Sequence, residues 1–318
     1  MASTLTTTRR PSATRIPSAE KSGDGKLDAA FTEHSYTAQD GLRLVYSQYG
    51  KLGGERTPVL CLAGLTRNAR DFHELASWLS TTPGKERCVI APDYRGRGRS
   101  DYDRNWENYS LQTELQDVLD LLTALDLEEV IIVGTSRGGL ISMLMGSARP
   151  AALKGVVLND IGPVIEPQGL LRIRQYMRER PDAKSWDEVA EALERMWNAL
   201  YPSLTREEWI DVARKIFREK DGRIVPDHDP NLLKPLEKLD LDKPGPPLWG
   251  LFKSISTVPV LSVRGMNSDI LTAETVAEMK KQHKKLQTLA VPEAGHAPLL
   301  TEPRILRQIA TFIGHCDD

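Results

Sequence analysis

The chain has 318 residues, with 42 lysines and arginines against 44 aspartates and glutamates, and a formal net charge of -2. This balance gives no general attraction to phosphate, so nucleic-acid binding is not expected. The apolar fraction of 40% is typical of a globular protein, and no apolar run approaches the roughly 18 residues of a transmembrane helix.

Residues 1–27 differ in composition from the rest of the chain. They are rich in serine and threonine and poor in apolar residues, which predicts a disordered tail. The first 19 residues also carry three arginines and no acid, a composition that fits an organelle transit peptide as well. The three cysteines are too few for a disulfide framework and favour a reduced, cytoplasmic setting, with an organelle as the alternative.

Strand-like and helix-like segments alternate from about residue 30 onward. Eight segments have strand patterns: 31–38, 42–49, 58–63, 88–91, 130–133, 155–158, 259–263 and 286–291. Five segments have helical spacing: 69–79, 111–125, 138–147, 273–281 and 302–312. This alternation predicts an α/β fold with a mostly parallel, doubly wound sheet of eight strands.

Residues 164–253 interrupt the alternation. Three helical segments, at 168–179, 186–200 and 205–219, follow one another without a predicted strand between them. Four of the six tryptophans lie in this insertion: Trp186, Trp197, Trp209 and Trp249. Most of them are expected to fix the insertion to a main domain of residues 28–163 and 254–318. One or two tryptophans that line a pocket would be enough for a functional role.

One motif joins a strand to a helix at a serine. The apolar run at 130–133 leads into Gly134-Thr135-Ser136-Arg137-Gly138, the pattern G-x-S-x-G, and a helix follows. A sharp turn at this junction lifts the serine hydroxyl out of the sheet, and its glycines leave space for the turn. The pattern predicts that Ser136 is a nucleophile.

A serine nucleophile requires a base and an acid that orients the base. Among six histidines, His296 follows the last strand in a loop fixed by a glycine and a proline, so we expect it to be the base. Asp269 follows the strand at 259–263, and the order Ser136, Asp269, His296 is that of one particular triad fold. Asp160 ends the strand at 155–158 and is the competing acid.

These motifs together resemble the α/β-hydrolase fold family, in its serine esterase-like group with a helical cap. The resemblance covers roughly residues 36–314 and includes the loops at 63–65 and 93–100. It implies an oxyanion hole made by the backbone amides of Leu65 and Arg137. It also implies that the 164–253 insertion is a cap that sets substrate choice.

Two departures from the family pattern concern the predicted site. Ala63 stands where many relatives carry histidine, and Arg137 stands where a small or aliphatic residue or methionine is common. The Arg137 side chain is expected to pair with an acid. Together with Arg67 it would instead favour an anionic substrate. The arginines of the 93–100 loop, Arg95, Arg97 and Arg99, are expected to stabilise a turn rather than bind phosphate.

The sequence favours a carboxylic-ester hydrolase that acts on a small molecule through an acyl-enzyme. Three alternatives keep the same triad: a C–C bond hydrolase, a lactonase and an acyltransferase. A fourth is a ligand-binding receptor with slow turnover. A serine nucleophile disfavours epoxide or halide chemistry, and no metal or cofactor is expected because neither a zinc-type cluster nor a phosphate-binding loop occurs. The chain is expected to be a monomer or a homodimer.

Overall fold

The computed structural model describes residues 30–179 and 183–317. Its main sheet contains eight strands, in the order β1-β2-β4-β3-β5-β6-β9-β10. Their bounds are β1 Phe31–Thr37, β2 Arg43–Tyr49, β3 Val59–Leu62, β4 Val89–Asp93, β5 Val130–Thr135, β6 Leu153–Asn159, β9 Val260–Gly265 and β10 Leu286–Val291. The strands β1 and β2 pair in antiparallel fashion, as do β2 and β4, and the remaining pairs are parallel. The predicted eight-stranded, mostly parallel sheet is confirmed.

Helices cover the sheet on both faces. The five that the alternating pattern predicts are α1 His73–Thr81, α2 Leu111–Ala124, α3 Arg137–Ala148, α9 Ala273–Gln282 and α10 Pro303–Gly314. Helix α1 packs against α10, while α3 packs against α2 and β5. Because every residue of β3 and β4 is buried, apolar side chains are required on both sides of these strands, as their continuous apolar runs predict.

The insertion between β6 and β9 is not wholly helical. It contains α4 Pro167–Arg178, α5 Trp186–Trp197, α6 Arg206–Ile216, α7 Leu233–Glu237 and α8 Trp249–Ser254. The helix expected to reach residue 219 ends at Ile216, and a hairpin of β7 Phe217–Lys220 and β8 Arg223–Pro226 follows it. Both residues of the hairpin turn, Asp221 and Gly222, have positive φ, at 52° and 70°. This turn chemistry explains why the helix stops.

The last helix of the insertion packs on the main domain. Ser254 Oγ, at the end of α8, donates a hydrogen bond of 2.7 Å to the carbonyl of Met143 in α3. The expected end of the insertion at residue 253 therefore falls within α8, which packs on α3 of the main domain. The predicted tail lies outside the described residues. No helix in the described ranges is long and apolar enough to cross a lipid bilayer.

Candidate active site

Ser136 occupies the turn between β5 and α3 in a conformation that few residues adopt. Its φ of 51° and ψ of -113° lie outside the strand and helix regions. A Cβ on Gly138 would lie 2.0 Å from the carbonyl oxygen of Leu62, and one on Gly134 would lie 2.6 Å from the Gly138 backbone. Only glycine fits at both positions, so the G-x-S-x-G spacing fixes the turn that presents the serine hydroxyl.

The loop after β10 brings His296 to this hydroxyl. The distance between Ser136 Oγ and His296 Nε2 is 2.9 Å, and His296 Nδ1 lies 2.8 Å from Asp160 Oδ2. With a proton on Nδ1, the imidazole donates to Asp160, and Nε2 accepts the hydrogen of the serine hydroxyl. The side chains of Ser136, His296 and Asp160 therefore form one continuous hydrogen-bonded chain.

Asp160 is held rigidly at the end of β6. Its carboxylate is fully buried and also accepts hydrogen bonds from the Gly265 amide, at 2.8 Å, and from Ser268 Oγ, at 2.5 Å. Its φ of 57° places the residue in the left-handed region, where aspartate is tolerated better than most residues. These contacts aim one carboxylate oxygen at the histidine.

The expectation that Asp269 is the partner of His296 is wrong. The Asp269 carboxylate instead binds Arg172 in a two-point ion pair, with distances of 2.6 Å from Nε and 2.8 Å from Nη2. Burial alone would raise the pKa of Asp269, but the hydrogen bonds and charge of Arg172 hold it below its usual value. Arg172 belongs to α4, and the sequence does not reveal where the insertion places that helix.

The two residues expected to form an oxyanion hole lie beside the nucleophile. A Cβ on Gly64, in the loop after β3, would lie 3.9 Å from the Ser136 Cβ, and Leu65 follows it. Arg137 opens α3 directly after Ser136. In the described part of the chain, neither the Leu65 amide nor the Arg137 amide donates a hydrogen bond. Both are therefore available to an incoming oxygen.

Hydrogen bonds through a buried carboxylate, Glu114, connect Arg137 to Leu65. Glu114 accepts from Arg137 Nε at 2.5 Å and from Arg97 Nη1 at 2.7 Å, and Arg97 Nε donates to the Leu65 carbonyl at 2.8 Å. Burial would raise the pKa of Glu114, but the charges of Arg137 and Arg97 lower it overall. The Arg137 side chain thus pairs with an acid, Glu114, as expected. It does not line the cavity, whereas Arg67 does.

The other arginines of the loop after β4 are also paired. Arg95 is buried and binds Asp117 through two hydrogen bonds, at 2.7 and 2.5 Å, and Arg99 pairs with Glu33. These contacts hold the turn together, which is the role that the resemblance to the family implies for this loop. In the two described ranges, no group of three or more His, Cys, Asp or Glu residues is arranged to hold a metal ion.

A cavity of about 110 Å³ opens at Ser136 and His296. The insertion contributes four aromatic side chains to its wall: Tyr176, Trp197, Tyr201 and Trp209. Trp197 and Trp209 are thus the two tryptophans of the insertion that line the site. No sequence motif marks the two tyrosines or Arg172 as cavity residues, because their position depends on how the insertion packs over the sheet.

A family model and two known proteins match most of the chain. Residues 59–309 match the model of the alpha/beta hydrolase family. A 3-hydroxybutyrate-oligomer hydrolase from Cupriavidus necator is 33% identical over 268 residues, which cover 82% of this chain and 89% of that protein. A 2-(acetamidomethylene)succinate hydrolase from Mesorhizobium japonicum is 26% identical, over 80% of this chain and 87% of that one.

A solved structure is similar over nearly the whole chain. The alpha/beta hydrolase from Novosphingobium aromaticivorans superposes with a TM-score of 0.83 at 38% sequence identity, and the match covers 90% of this chain and 99% of that chain. The family match spans most of the sheet, the serine turn and the histidine loop. This chain therefore belongs to the alpha/beta hydrolase family.

Proposed function

We propose that this protein is a serine hydrolase that cleaves carboxylic esters through an acyl-enzyme. The observation that carries the proposal is the hydrogen-bonded chain from Ser136 through His296 to Asp160, with distances of 2.9 and 2.8 Å, at the mouth of a cavity. A serine hydroxyl is a weak nucleophile on its own, and a histidine at hydrogen-bond distance can remove its proton during attack.

In the first half of the reaction, Ser136 Oγ attacks the ester carbonyl carbon and its proton passes to His296 Nε2. The tetrahedral intermediate then collapses: the bond to the alkoxy oxygen breaks, and that oxygen takes the proton from His296 and leaves as an alcohol. In the second half, His296 removes a proton from water, which attacks the acyl-enzyme. The acid is released, and the proton returns to Ser136.

Two further groups support these steps. Asp160 keeps the Nδ1 proton in place and stabilises the imidazolium that forms after proton transfer. The free amides of Leu65 and Arg137 donate hydrogen bonds to the oxygen that becomes negative in the tetrahedral intermediate. The Arg137 amide also lies at the N-terminus of α3, where the helix dipole favours negative charge.

The substrate class follows from the cavity and from one relative. The cavity is small and mainly apolar, with several aromatic side chains, which suits a short acyl group. The relative from Cupriavidus necator is named for oligomers of 3-hydroxybutyrate, which are esters of a short hydroxy acid. Short hydroxy-acid esters are therefore the substrates proposed here, and the insertion acts as the cap that selects them.

The test is an initial-rate series on p-nitrophenyl esters from acetate to laurate and on the 3-hydroxybutyrate dimer. Ser136→Ala should lose at least about a thousandfold in kcat, because its removal leaves only binding and the oxyanion hole. Ser147→Ala, an exposed serine on the same helix, serves as the matched control and should retain full activity.

Two results would contradict the proposal. One is a Ser136→Ala variant that keeps more than about a tenth of the rate. The other is a wild type that turns over lactones or diketones and none of the esters, since that pattern would assign the same residues to lactone or C–C bond cleavage.

A further inference from the structure

Two arginines that line the cavity are held by carboxylates on one edge only. Arg67 donates from Nε and Nη2 to Asp71, at 2.7 and 2.6 Å. Arg172 uses the same two nitrogens for Asp269, at 2.6 and 2.8 Å. A guanidinium has five N–H groups, so each two-point pair fixes the plane of the group and leaves three N–H groups for another acceptor.

The remaining nitrogen of each arginine is open. Within the described ranges, neither Arg67 Nη1 nor Arg172 Nη1 makes a hydrogen bond. Both side chains are partly exposed, with 18% of the Arg67 surface and 22% of the Arg172 surface accessible to solvent. Both side chains line the cavity.

Arg67 lies close to the nucleophile. It follows the loop after β3, and a Cβ on Gly64 would lie 3.3 Å from the Arg67 Cγ and 3.9 Å from the Ser136 Cβ. The Arg67 guanidinium also lies within electrostatic range of the hydroxyls of Tyr176 and Tyr201, on the insertion.

Arg172 approaches from the side of the histidine. Its partner Asp269 lies within electrostatic range of His296. The Arg172 guanidinium is also within range of the hydroxyls of Tyr176 and Tyr201, as Arg67 is. Two guanidiniums, one from the loop after β3 and one from α4, therefore share the same two tyrosines as neighbours.

The charged residues of the wall favour a negative group. Three of them are basic, Arg67, Arg172 and Lys215, and one is acidic, Asp71. The carboxylates of Asp269 and Glu74, which pair with Arg172 and Lys215, are not part of the wall. Basic residues therefore outnumber acidic ones in the wall, three to one.

We infer that the cavity binds an ester that also carries a free carboxylate, and that the open edges of Arg67 and Arg172 donate hydrogen bonds to this carboxylate while the ester carbonyl faces Ser136. The inference rests on the proposed function and narrows its substrate class. Guanidinium groups oriented in advance bind a carboxylate with little loss of side-chain freedom. The substrates are accordingly esters in which one part of the molecule, as in the 3-hydroxybutyrate dimer, keeps a free carboxylic acid group.

Binding to the Ser136→Ala variant tests the inference without turnover. The probes are the 3-hydroxybutyrate dimer as the free acid and the methyl ester of the same dimer, titrated by calorimetry. The free acid should bind at least about tenfold more tightly, because charge-assisted hydrogen bonds are the stronger kind. Adding Arg172→Gln or Arg67→Gln should reduce this preference to near unity.

Two additional variants separate recognition from folding. Arg172→Gln combined with Asp269→Asn removes the pair without leaving a carboxylate unpaired, so a folded protein remains for measurement. Arg178→Gln removes an arginine of α4 that pairs with Glu237 on the surface, and it should keep the full preference for the acid.

Each outcome has a distinct meaning. Equal affinities for the acid and its methyl ester would overturn the carboxylate site, as would a preference that survives both Arg67→Gln and Arg172→Gln. If Ser136-dependent hydrolysis of p-nitrophenyl butyrate is found alongside equal affinities, the hydrolase stands and the carboxylate site fails. If no ester is hydrolysed but the acid preference is present and depends on the arginines, the proposed function fails and the site stands.

Discussion

Asp160 and Asp269 follow neighbouring strands of the sheet, yet their carboxylates have different surroundings. Asp160 is fully buried and accepts from the Gly265 amide, Ser268 Oγ and His296. Asp269 is partly exposed and faces Arg172. Asp160 thus holds the histidine in one orientation, whereas the Asp269 carboxylate makes its two hydrogen bonds to Arg172.

Replacing these two aspartates by asparagine should have unequal effects. Asp160→Asn should lower kcat on esters by about 1,000-fold to 10,000-fold, because the amide no longer fixes the Nδ1 proton of His296. Asp269→Asn should change kcat by less than about tenfold, since its side chain does not contact the imidazole. The measurement is kcat and KM of both variants on p-nitrophenyl butyrate. A larger loss in Asp269→Asn would assign the acid role to Asp269 instead.

The sequence identifies Ser136 and His296 as candidates because each lies in a local motif. The serine turn requires glycines at fixed spacing, and the histidine follows the last strand between a glycine and a proline. The acid has no such motif, since Asp160, directly after β6, and Asp269, four residues after the end of β9, satisfy the same rule. Only the positions of α4 and Ser268 decide between Asp160 and Asp269.

At the scale of elements, α2 carries two buried acids with different partners. Glu114 is bound by Arg137, one residue of the proposed oxyanion hole, and by Arg97, which donates to the carbonyl of Leu65, the other residue. Asp117, three residues later, is bound by Arg95. The helix therefore supports the active site through one side chain and the loop after β4 through the other.

Glu114→Gln should lower kcat on esters by about tenfold to a hundredfold and leave KM within about twofold, because misplaced amides weaken transition-state binding more than substrate binding. The affinity of a boronic acid, which forms a tetrahedral adduct with serine, should fall in parallel. Kinetics and boronate inhibition on the purified variant provide both readouts.

Asp117→Asn is the matched control for this helix. It removes one charge of a buried pair and should lower stability, as Glu114→Gln does, while kcat per folded molecule stays near that of the wild type. If both variants lost kcat equally, or if Glu114→Gln kept normal boronate affinity, Glu114 would have a structural role alone.

The β7–β8 hairpin illustrates why elements of the insertion are harder to predict than those of the sheet. Helical spacing continues past Ile216, but the Asp221-Gly222 turn carries a stronger local signal for a hairpin. Central strands of the sheet, such as β3 and β5, contain continuous apolar runs that tertiary packing does not override. In the insertion, apolar spacing and turn chemistry compete, and the turn prevails.

Across the whole molecule, the fold follows from pattern, whereas the cavity follows from packing. Alternating strands and helices predict the eight-stranded sheet and place the ends of β5, β6 and β10 at one edge. The cavity wall combines that edge with side chains of α4, α5 and α6 from the insertion. Their contribution depends on contacts between segments far apart in the chain, which a single sequence does not specify.

Distant segments also meet near the C-terminus, at Asp317. Its carboxylate accepts from Arg87 Nη2 at 2.7 Å, from Arg56 Nη1 at 3.1 Å and from the Thr57 amide at 3.3 Å. Burial alone would raise the pKa of Asp317, but its hydrogen bonds and the Arg87 charge lower it. The C-terminal end of the chain is thereby tied to the segments that lead into β3 and β4.

The stability provided by Asp317 should depend on pH. Because its pKa in the folded state lies below the unfolded value of about 3.9, its contribution is complete above that value and is lost as the pH falls through the folded pKa. Asp317→Asn should lower the free energy of unfolding by about 2 kcal/mol at pH 7. The deficit should shrink below about pH 4. Thermal unfolding of both proteins from pH 3 to pH 8 measures this difference.

Asp101→Asn, which breaks an exposed 3.8 Å contact with Arg43, is the control and should change stability little at any pH. A deficit for Asp317→Asn that stays constant down to pH 3 would show that the carboxylate charge is not the stabilising feature.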